Sequence, residues 1–157
     1  MKKLRVYLDT SVIGGCFDKE FREASLALMD HIRLGIFEGL ISPVSVEELS
    51  DAPEHVRNSL LEFDEDQIIR LKEAPNVLAL SDAYMEAKVV PVKFKDDASH
   101  IAYATVYGAD VVVSWNFRHI VNFQRIHASN AVNIREGYPL MDIRTPKELI
   151  YGREEEF

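Results

Sequence analysis

Cysteine is almost absent from this 157-residue chain, and so are long apolar runs. Cys16 is the only cysteine, which excludes an intramolecular disulfide and a zinc site built from several thiolates. Chains without disulfides are typical of a reducing compartment, so a cytoplasmic location is expected. Cys16 lies in GGCF with no motif around it, and we expect a buried or half-buried thiol. No segment approaches the roughly 18 consecutive apolar residues of a membrane span, so no membrane partner is expected.

Positive charge is also scarce, because 18 Lys and Arg face 26 Asp and Glu for a formal net charge of −8. This balance argues against nucleic acid as a partner, since phosphate contacts need Lys and Arg. Two short basic stretches oppose that argument, one around Lys93 and one from Arg118 to His127. Each indicates either a local nucleic-acid contact or an ordinary solvated surface.

Apolar strands and amphipathic helices alternate along the chain. Leu4–Leu8 predicts a buried strand, Asp96–Tyr107 is the clearest helix, and Asp110–Ser114 predicts another buried strand. A further helix is expected over Trp115–Gln124. This alternation predicts an α/β fold, a three-layer α/β/α sandwich around a central, mainly parallel sheet.

The predicted organisation is a single domain over residues 1–150, followed by an acidic, frayed tail over residues 151–157. The N-terminal MKKLRVYLDT starts like a signal peptide, but Asp9 interrupts it before any apolar region develops. We interpret it as the first strand.

Polar side chains lie just beyond the ends of two predicted strands. Asp9 comes after the first strand, in LDTS, and Asn116 comes after DVVVS. Ligands of parallel α/β sheets bind at the carboxyl ends of the strands, so both residues are expected at the same edge. The simpler alternatives are an Asp9 that caps the next turn and an Asn116 that bonds its own backbone.

Acidic pairs lie on two predicted helices. Nothing local distinguishes Glu47 from Glu48 in PVSVEEL. Asp96 and Asp97 open the Ala-rich helix, where one aspartate would satisfy the helix dipole and two exceed that need. His100 shares a face with Asp97, although a histidine on an apolar helix is more often a core residue bonded to a backbone carbonyl. All-oxygen ligand sets select Mg²⁺ or Mn²⁺, which can activate water against a phosphodiester.

Four blocks, LDTSVIGG, PVSVEEL, DDASHIAYAT and DVVVSWNF, together resemble the PIN-domain family over residues 4–123. The last two are similar to prokaryotic PIN proteins related to the toxins of VapBC-type toxin–antitoxin pairs. The resemblance implies a parallel α/β/α sandwich, Mg²⁺ or Mn²⁺ dependence, endoribonuclease activity on RNA and frequent homodimers. For toxins it also implies inhibition by a cognate antitoxin protein.

By position, the resemblance implies that Asp9, Glu48 and Asp97 are metal ligands and that they act in catalysis with Asn116. Ser11 would be a supporting hydroxyl. Many relatives carry a fourth acid where this chain has Asn116, and an amide brings no charge. This departure leaves the number of metal ions, one or two, open.

Three alternatives belong to other classes. A haloacid-dehalogenase-type phosphatase needs a second aspartate two residues after the first, where this chain has Ser11. A receiver domain needs an acidic pair near its first strand, and that pair is missing here. The third is a catalytically weak or inactive PIN-fold module that binds RNA or protein. The net charge and Asn116 both favour it.

Overall fold

The computed structural model describes residues 2–154, which form five strands and eight α-helices. The strands are β1 (Leu4–Leu8), β2 (Phe37–Ile41), β3 (Ile68–Arg70), β4 (Val111–Val113) and β5 (Asp142–Arg144). The helices are α1 (Thr10–Gly15), α2 (Arg22–Arg33), α3 (Pro43–Ser50), α4 (Glu54–Arg57), α5 (Pro75–Glu86), α6 (Lys95–Val106), α7 (Phe123–Arg135) and α8 (Pro146–Glu154). Short 3₁₀ helices cover Asn58–Glu62 and Val92–Phe94. None of the described helices is long and apolar enough to cross a membrane.

The five strands form one parallel sheet in the order β3-β2-β1-β4-β5. β1 is central, with Val6 paired to Gly39 of β2 and to Val111 of β4. Successive side chains of a strand face opposite sides of its sheet, so Tyr7 faces away from Val6. The predicted α/β fold with a mainly parallel sheet is confirmed.

A separate apolar core lies on each face of the sheet. Val6 and Leu8 pack with side chains of α2 and α8, including Leu28 and Ile150. Tyr7 packs on the other face with side chains of α5, α6 and α7. Fully burying an aliphatic side chain such as Leu28 contributes about 1.5–3 kcal/mol. The two cores hold the helices in two layers around the sheet, which is the predicted sandwich.

A reversal of strand order leaves a crevice at the carboxyl ends of the two strands that flank it, and here those strands are β1 and β4. The chain runs outward from β1 to β2 and β3, then returns to place β4 on the other side of β1. The backbone N–H of Asp9 donates to the carbonyl of Val113 at 3.0 Å, which joins the two strand ends. Open α/β sheets bind ligands at such a reversal of strand order.

The helix predicted over Trp115–Gln124 is wrong. Residues 115–122 form a loop, in which the side-chain oxygen of Asn116 accepts hydrogen bonds from two backbone N–H groups, at 3.0 and 3.2 Å. The helix of this region is α7, which starts after its N-cap Asn122. Its buried face is largely polar, including Ser129 and Asn133, and so gave little apolar period in the sequence.

The last helix, α8, continues to Glu154, into the segment predicted as a tail. Residues 155–157 lie outside the described residues. The acidic tail and its boundary therefore stay a prediction.

Candidate metal centre

Asp9 enters the crevice from the end of β1. Its side chain is almost fully buried, and its Oδ2 accepts hydrogen bonds from the hydroxyls of Ser11 at 2.6 Å and Ser114 at 2.7 Å. Asp9 precedes α1, yet its carboxylate makes no capping hydrogen bond to that helix. The capping alternative therefore does not account for this carboxylate, which points into the crevice.

Glu48 enters from α3, which begins at the N-cap Ser42 with Pro43 as its first residue. Ser42 and Ser45 form a reciprocal capping box that fixes the start of this helix. Glu48 is half-buried, and its Oε1 accepts a hydrogen bond from the Thr10 hydroxyl at 2.8 Å. Its neighbour Glu47 is exposed. The geometry thus separates two glutamates that the local sequence could not distinguish.

His100 lies between these two carboxylates and is completely buried. Its Nε2 is 2.5 Å from Glu48 Oε1 and 3.4 Å from Asp9 Oδ1. Its Nδ1 is 2.6 Å from the hydroxyl of Tyr7, which donates to Ser42 Oγ at 2.7 Å. His100 is a core residue as expected, but its partners are carboxylates and a hydroxyl rather than a backbone carbonyl.

Asp97 lies one helical turn before His100 on α6. Its Oδ2 is 3.0 Å from Nδ1 of His119, and the nearby Asn116 side chain acts to lower its pKa. The ring of Phe94 packs against His119 with centroids 4.1 Å apart. Asp97 is thereby held at the rim of the crevice, while its neighbour Asp96 is exposed.

The charges of the crevice perturb one another. Burial raises the pKa of Asp97, and the nearby Asp9 carboxylate raises it further. Burial also acts to raise the pKa of Glu48, but hydrogen bonds from His100 and Thr10 and the His100 charge lower it overall. Burial acts to lower the pKa of His100, yet interactions with Tyr7, Glu48 and Asp9 raise it well above its usual value. The crevice therefore favours positive charge at its centre.

Three of these side chains fit a metal ion. One ligand atom each from Asp9, Glu48 and His100 lies within 4.8 Å of the others. The carboxylate oxygens suit Mg²⁺ or Mn²⁺, the ions expected from the sequence. Among the described residues, the cluster of possible ligand atoms contains Asp9, Glu48 and His100 and does not include Asp97.

The Asn116 side chain makes two kinds of contact. Its Oδ1 accepts backbone hydrogen bonds within the loop, as the turn interpretation expected, and its side chain also contacts Asp97. The amide therefore borders the acidic cluster while its oxygen is engaged by the backbone. Its catalytic role stays a prediction.

Sequence reasoning missed Ser114, His119 and Tyr7. Ser114 carried one available signal, since it ends the DVVVS strand on the same edge as Asp9. His119 was visible only as part of a basic stretch. Tyr7 stood within an apolar strand, and nothing local indicated that its hydroxyl would meet His100.

The fold has counterparts among solved structures. Solved structures of similar fold include VapBC2 from Rickettsia felis bound to a promoter DNA fragment, with 11% identity, a TM-score of 0.56 and coverage of 90% of this chain and 98% of that one. FitAcB from Neisseria gonorrhoeae has 15% identity, a TM-score of 0.59 and coverage of 90% and 97%. DNA-bound VapBC from Salmonella typhimurium has 20% identity, a TM-score of 0.57 and coverage of 91% and 98%.

At these identities the solved structures establish the fold alone. No curated protein matches the sequence. The family model of the PIN domain matches residues 5–118, which include Asp9, Glu48, Asp97 and Asn116. Because that match covers most of the chain, the protein belongs to the PIN domain family.

Proposed function

We propose that this protein is a metal-dependent endoribonuclease that hydrolyses RNA phosphodiester bonds. The observation that carries the proposal is the meeting of Asp9 and Glu48 at His100, with Asp97 one helical turn away and close enough for the Asp9 charge to raise its pKa, at the carboxyl ends of β1 and β4 in a PIN domain. The three carboxylates come from three separate elements, and the packing of those elements does not require the carboxylates to lie close together. A shared cation explains their convergence.

Mg²⁺ or Mn²⁺ bound there would stabilise charge on the phosphate and lower the pKa of an attacking water. The chain itself supplies orientation. Ser11 and Ser114 fix the Asp9 carboxylate, and Thr10 fixes Glu48. His119 contacts the Asp97 carboxylate. Each acidic group is thus pre-positioned by a neighbour, which reduces the reorganisation needed when an ion and a phosphate arrive.

The test is cleavage of end-labelled RNA in Mg²⁺ or Mn²⁺, compared with the same reaction in EDTA. We expect Asp97→Asn to abolish cleavage while the fold, followed by circular dichroism, stays intact. Asp96→Asn is the matched control, because it removes an exposed charge one residue away on the same helix. Full activity in Asp97→Asn, or undiminished cleavage in EDTA, would contradict the proposal.

The same protein is proposed to act as the toxin of a toxin–antitoxin pair. The likeness in fold to VapBC and FitAcB structures and the membership of the PIN family support this. Induced expression should arrest growth, and Asp97→Asn should relieve the arrest. Co-expression with the adjacent reading frame should restore growth and yield a complex on purification. Light scattering of the free protein tests the expected homodimer.

A second candidate is a PIN module that binds RNA or protein without cutting. Asn116 favours it, because the position lacks the carboxylate expected there and its oxygen already accepts two backbone hydrogen bonds. RNA binding with no cleavage in either ion, together with cleavage restored by Asn116→Asp, would select this alternative.

A further inference from the structure

The imidazole of His100 is completely buried among the groups proposed to hold the cation. The proton positions around it follow from its partners. The Tyr7 hydroxyl donates to Ser42 Oγ at 2.7 Å, so its oxygen is left to accept from Nδ1–H of His100 at 2.6 Å. When a cation replaces the proton that Nε2 shares with Glu48, the neutral ring presents the lone pair of Nε2 to Glu48 and Asp9.

That lone pair and two carboxylate oxygens are three electron-rich groups in one small space. Their ligand atoms lie within 4.8 Å of one another. They repel one another unless a positive charge lies among them. Histidines that bind metals usually donate their other ring N–H to an acceptor, which fixes the ring and its tautomer. Tyr7 occupies the position of that acceptor.

We propose that His100 Nε2 is a direct ligand of the cation, together with carboxylate oxygens of Asp9 and Glu48. This assignment of the ligand depends on the proposed function in one respect only, namely that the bound cation is used in RNA cleavage. An imidazole nitrogen suits Mn²⁺ and other transition-metal ions better than Mg²⁺, which prefers oxygen. The proposal therefore assigns this site a preference for Mn²⁺ over Mg²⁺.

The spacing is compatible with this assignment. Two ligands about 2.1 Å from an ion and at right angles lie about 3 Å apart. The 3.4 Å between Nε2 and Asp9 Oδ1 is close to that value. The 2.5 Å contact with Glu48 must lengthen slightly, and Glu48 is half-buried with one hydroxyl partner besides His100 among the contacts described, so it can move.

Electron spin-echo envelope modulation of the Mn²⁺-loaded wild-type protein tests the assignment directly. Samples carry either ¹⁴N- or ¹⁵N-labelled histidine, so a coupled nitrogen is identified as histidine. We expect a modulation that changes with the isotope. The absence of histidine coupling at saturating Mn²⁺, or of any Mn²⁺ binding, overturns the proposal. This measurement needs no variant and does not depend on whether a variant folds.

Variants then identify which histidine is bound. His100→Leu should abolish the modulation and lower Mn²⁺ affinity by about tenfold or more in calorimetry, with a smaller loss for Mg²⁺. His119→Gln tests the imidazole that contacts Asp97, and His127→Gln tests an exposed one. Both should retain the modulation. A signal that survives in folded His100→Leu, or vanishes in His119→Gln, overturns the assignment.

RNA cleavage by the same samples separates this inference from the proposed function. Histidine coupling without cleavage upholds the ligand and refutes the nuclease. Cleavage without histidine coupling upholds the nuclease and refutes the ligand, leaving His100 as a residue that only positions Glu48.

Discussion

The thiol of Cys16 is buried at the end of α1, as its sequence context predicted, and burial raises its pKa from 9.0 to about 11. The folded chain therefore holds the thiol proton more tightly than the unfolded chain does. Between about pH 9 and 11 the unfolded chain ionises first, so the thiol's contribution to stability falls as pH rises. Urea unfolding should thus show a smaller stability difference between wild type and Cys16→Ala at pH 10.5 than at pH 8. Equal differences at the two pH values would contradict the burial effect.

Asp97 should cost stability when it is ionised. Burial and the Asp9 charge raise its pKa, so its ionised form is disfavoured in the fold at pH 7. Asp97→Asn should therefore raise the melting temperature of the metal-free protein. The gain should shrink as the pH falls through the raised pKa of Asp97, because the wild-type carboxylate is then protonated and no longer repels Asp9. Asp96→Asn, at an exposed position, should change little. A lower melting temperature for Asp97→Asn would show that its contact with His119 outweighs the repulsion.

Glu48 and Glu47 form a matched pair for metal binding. Glu48 lies 2.5 Å from His100 within the trio of ligand atoms, whereas Glu47 is exposed. Calorimetric titration with Mn²⁺ should show a loss of about tenfold or more for Glu48→Gln and almost none for Glu47→Gln. Equal losses, or the reverse order, would remove Glu48 from the site.

At the scale of elements, α1 carries two adjacent glycines in different surroundings. A Cβ at Gly15 would come within 2.6 Å of Ser25 Oγ and 2.9 Å of Trp115 Nε1, two atoms that hydrogen-bond to each other. A Cβ at Gly14 would meet nothing within 4 Å.

Gly15→Ala should therefore lower the free energy of unfolding by about 1–3 kcal/mol, because the close contact forces α1 away from the loop after β4. Gly14→Ala should raise it by about 0.5–1 kcal/mol, since alanine loses less backbone entropy in a helix. Urea denaturation of both variants provides the comparison. A stabilised Gly15→Ala would mean that α1 and the loop do not approach as closely as described.

Elements with strong local signals could be predicted from the sequence. The apolar run Leu4–Leu8 and the Ser-Pro start of α3 each specify their structure locally. The loop over residues 115–122 could not be predicted, because the Asn116 side chain fixes it through backbone contacts that only the folded loop makes.

Some residues of the candidate site could also be predicted from the sequence, and others could not. Asp9 and Asn116 could be placed because strand topology brings carboxyl ends together. The contact of His100 with Tyr7 joins residues 93 positions apart, and that of His119 with Asp97 depends on an irregular loop. Neither contact leaves a periodic trace in the sequence.

For the whole molecule, the net charge of −8 opposes the binding of the RNA that we propose as substrate. Because acidic residues outnumber basic ones, we expect a bound divalent cation to supply much of the attraction for phosphate. Stopped-flow anisotropy of labelled single-stranded RNA, recorded before cleavage, should show affinity that falls about tenfold or more in EDTA. The logarithm of the affinity should fall only slowly with the logarithm of the salt concentration. Each phosphate contact contributes a slope of about 0.7 for single-stranded RNA, and we expect few such contacts. Unchanged affinity in EDTA would point to a basic surface that acts without the ion.

The central strand also has a consequence for folding fidelity. β1 pairs in fixed register with β2 and β4, sends Tyr7 to one face and ends in Asp9. A slip of one residue would carry Asp9 about 3.3 Å along the sheet and turn Tyr7 to the opposite face, away from His100. Only the correct pairing assembles the cluster, so a cation that binds there stabilises that pairing and no slipped one. A bound ion would thus favour chains whose sheet has the correct register. The fraction of chains that bind the ion would measure how many had folded in that register.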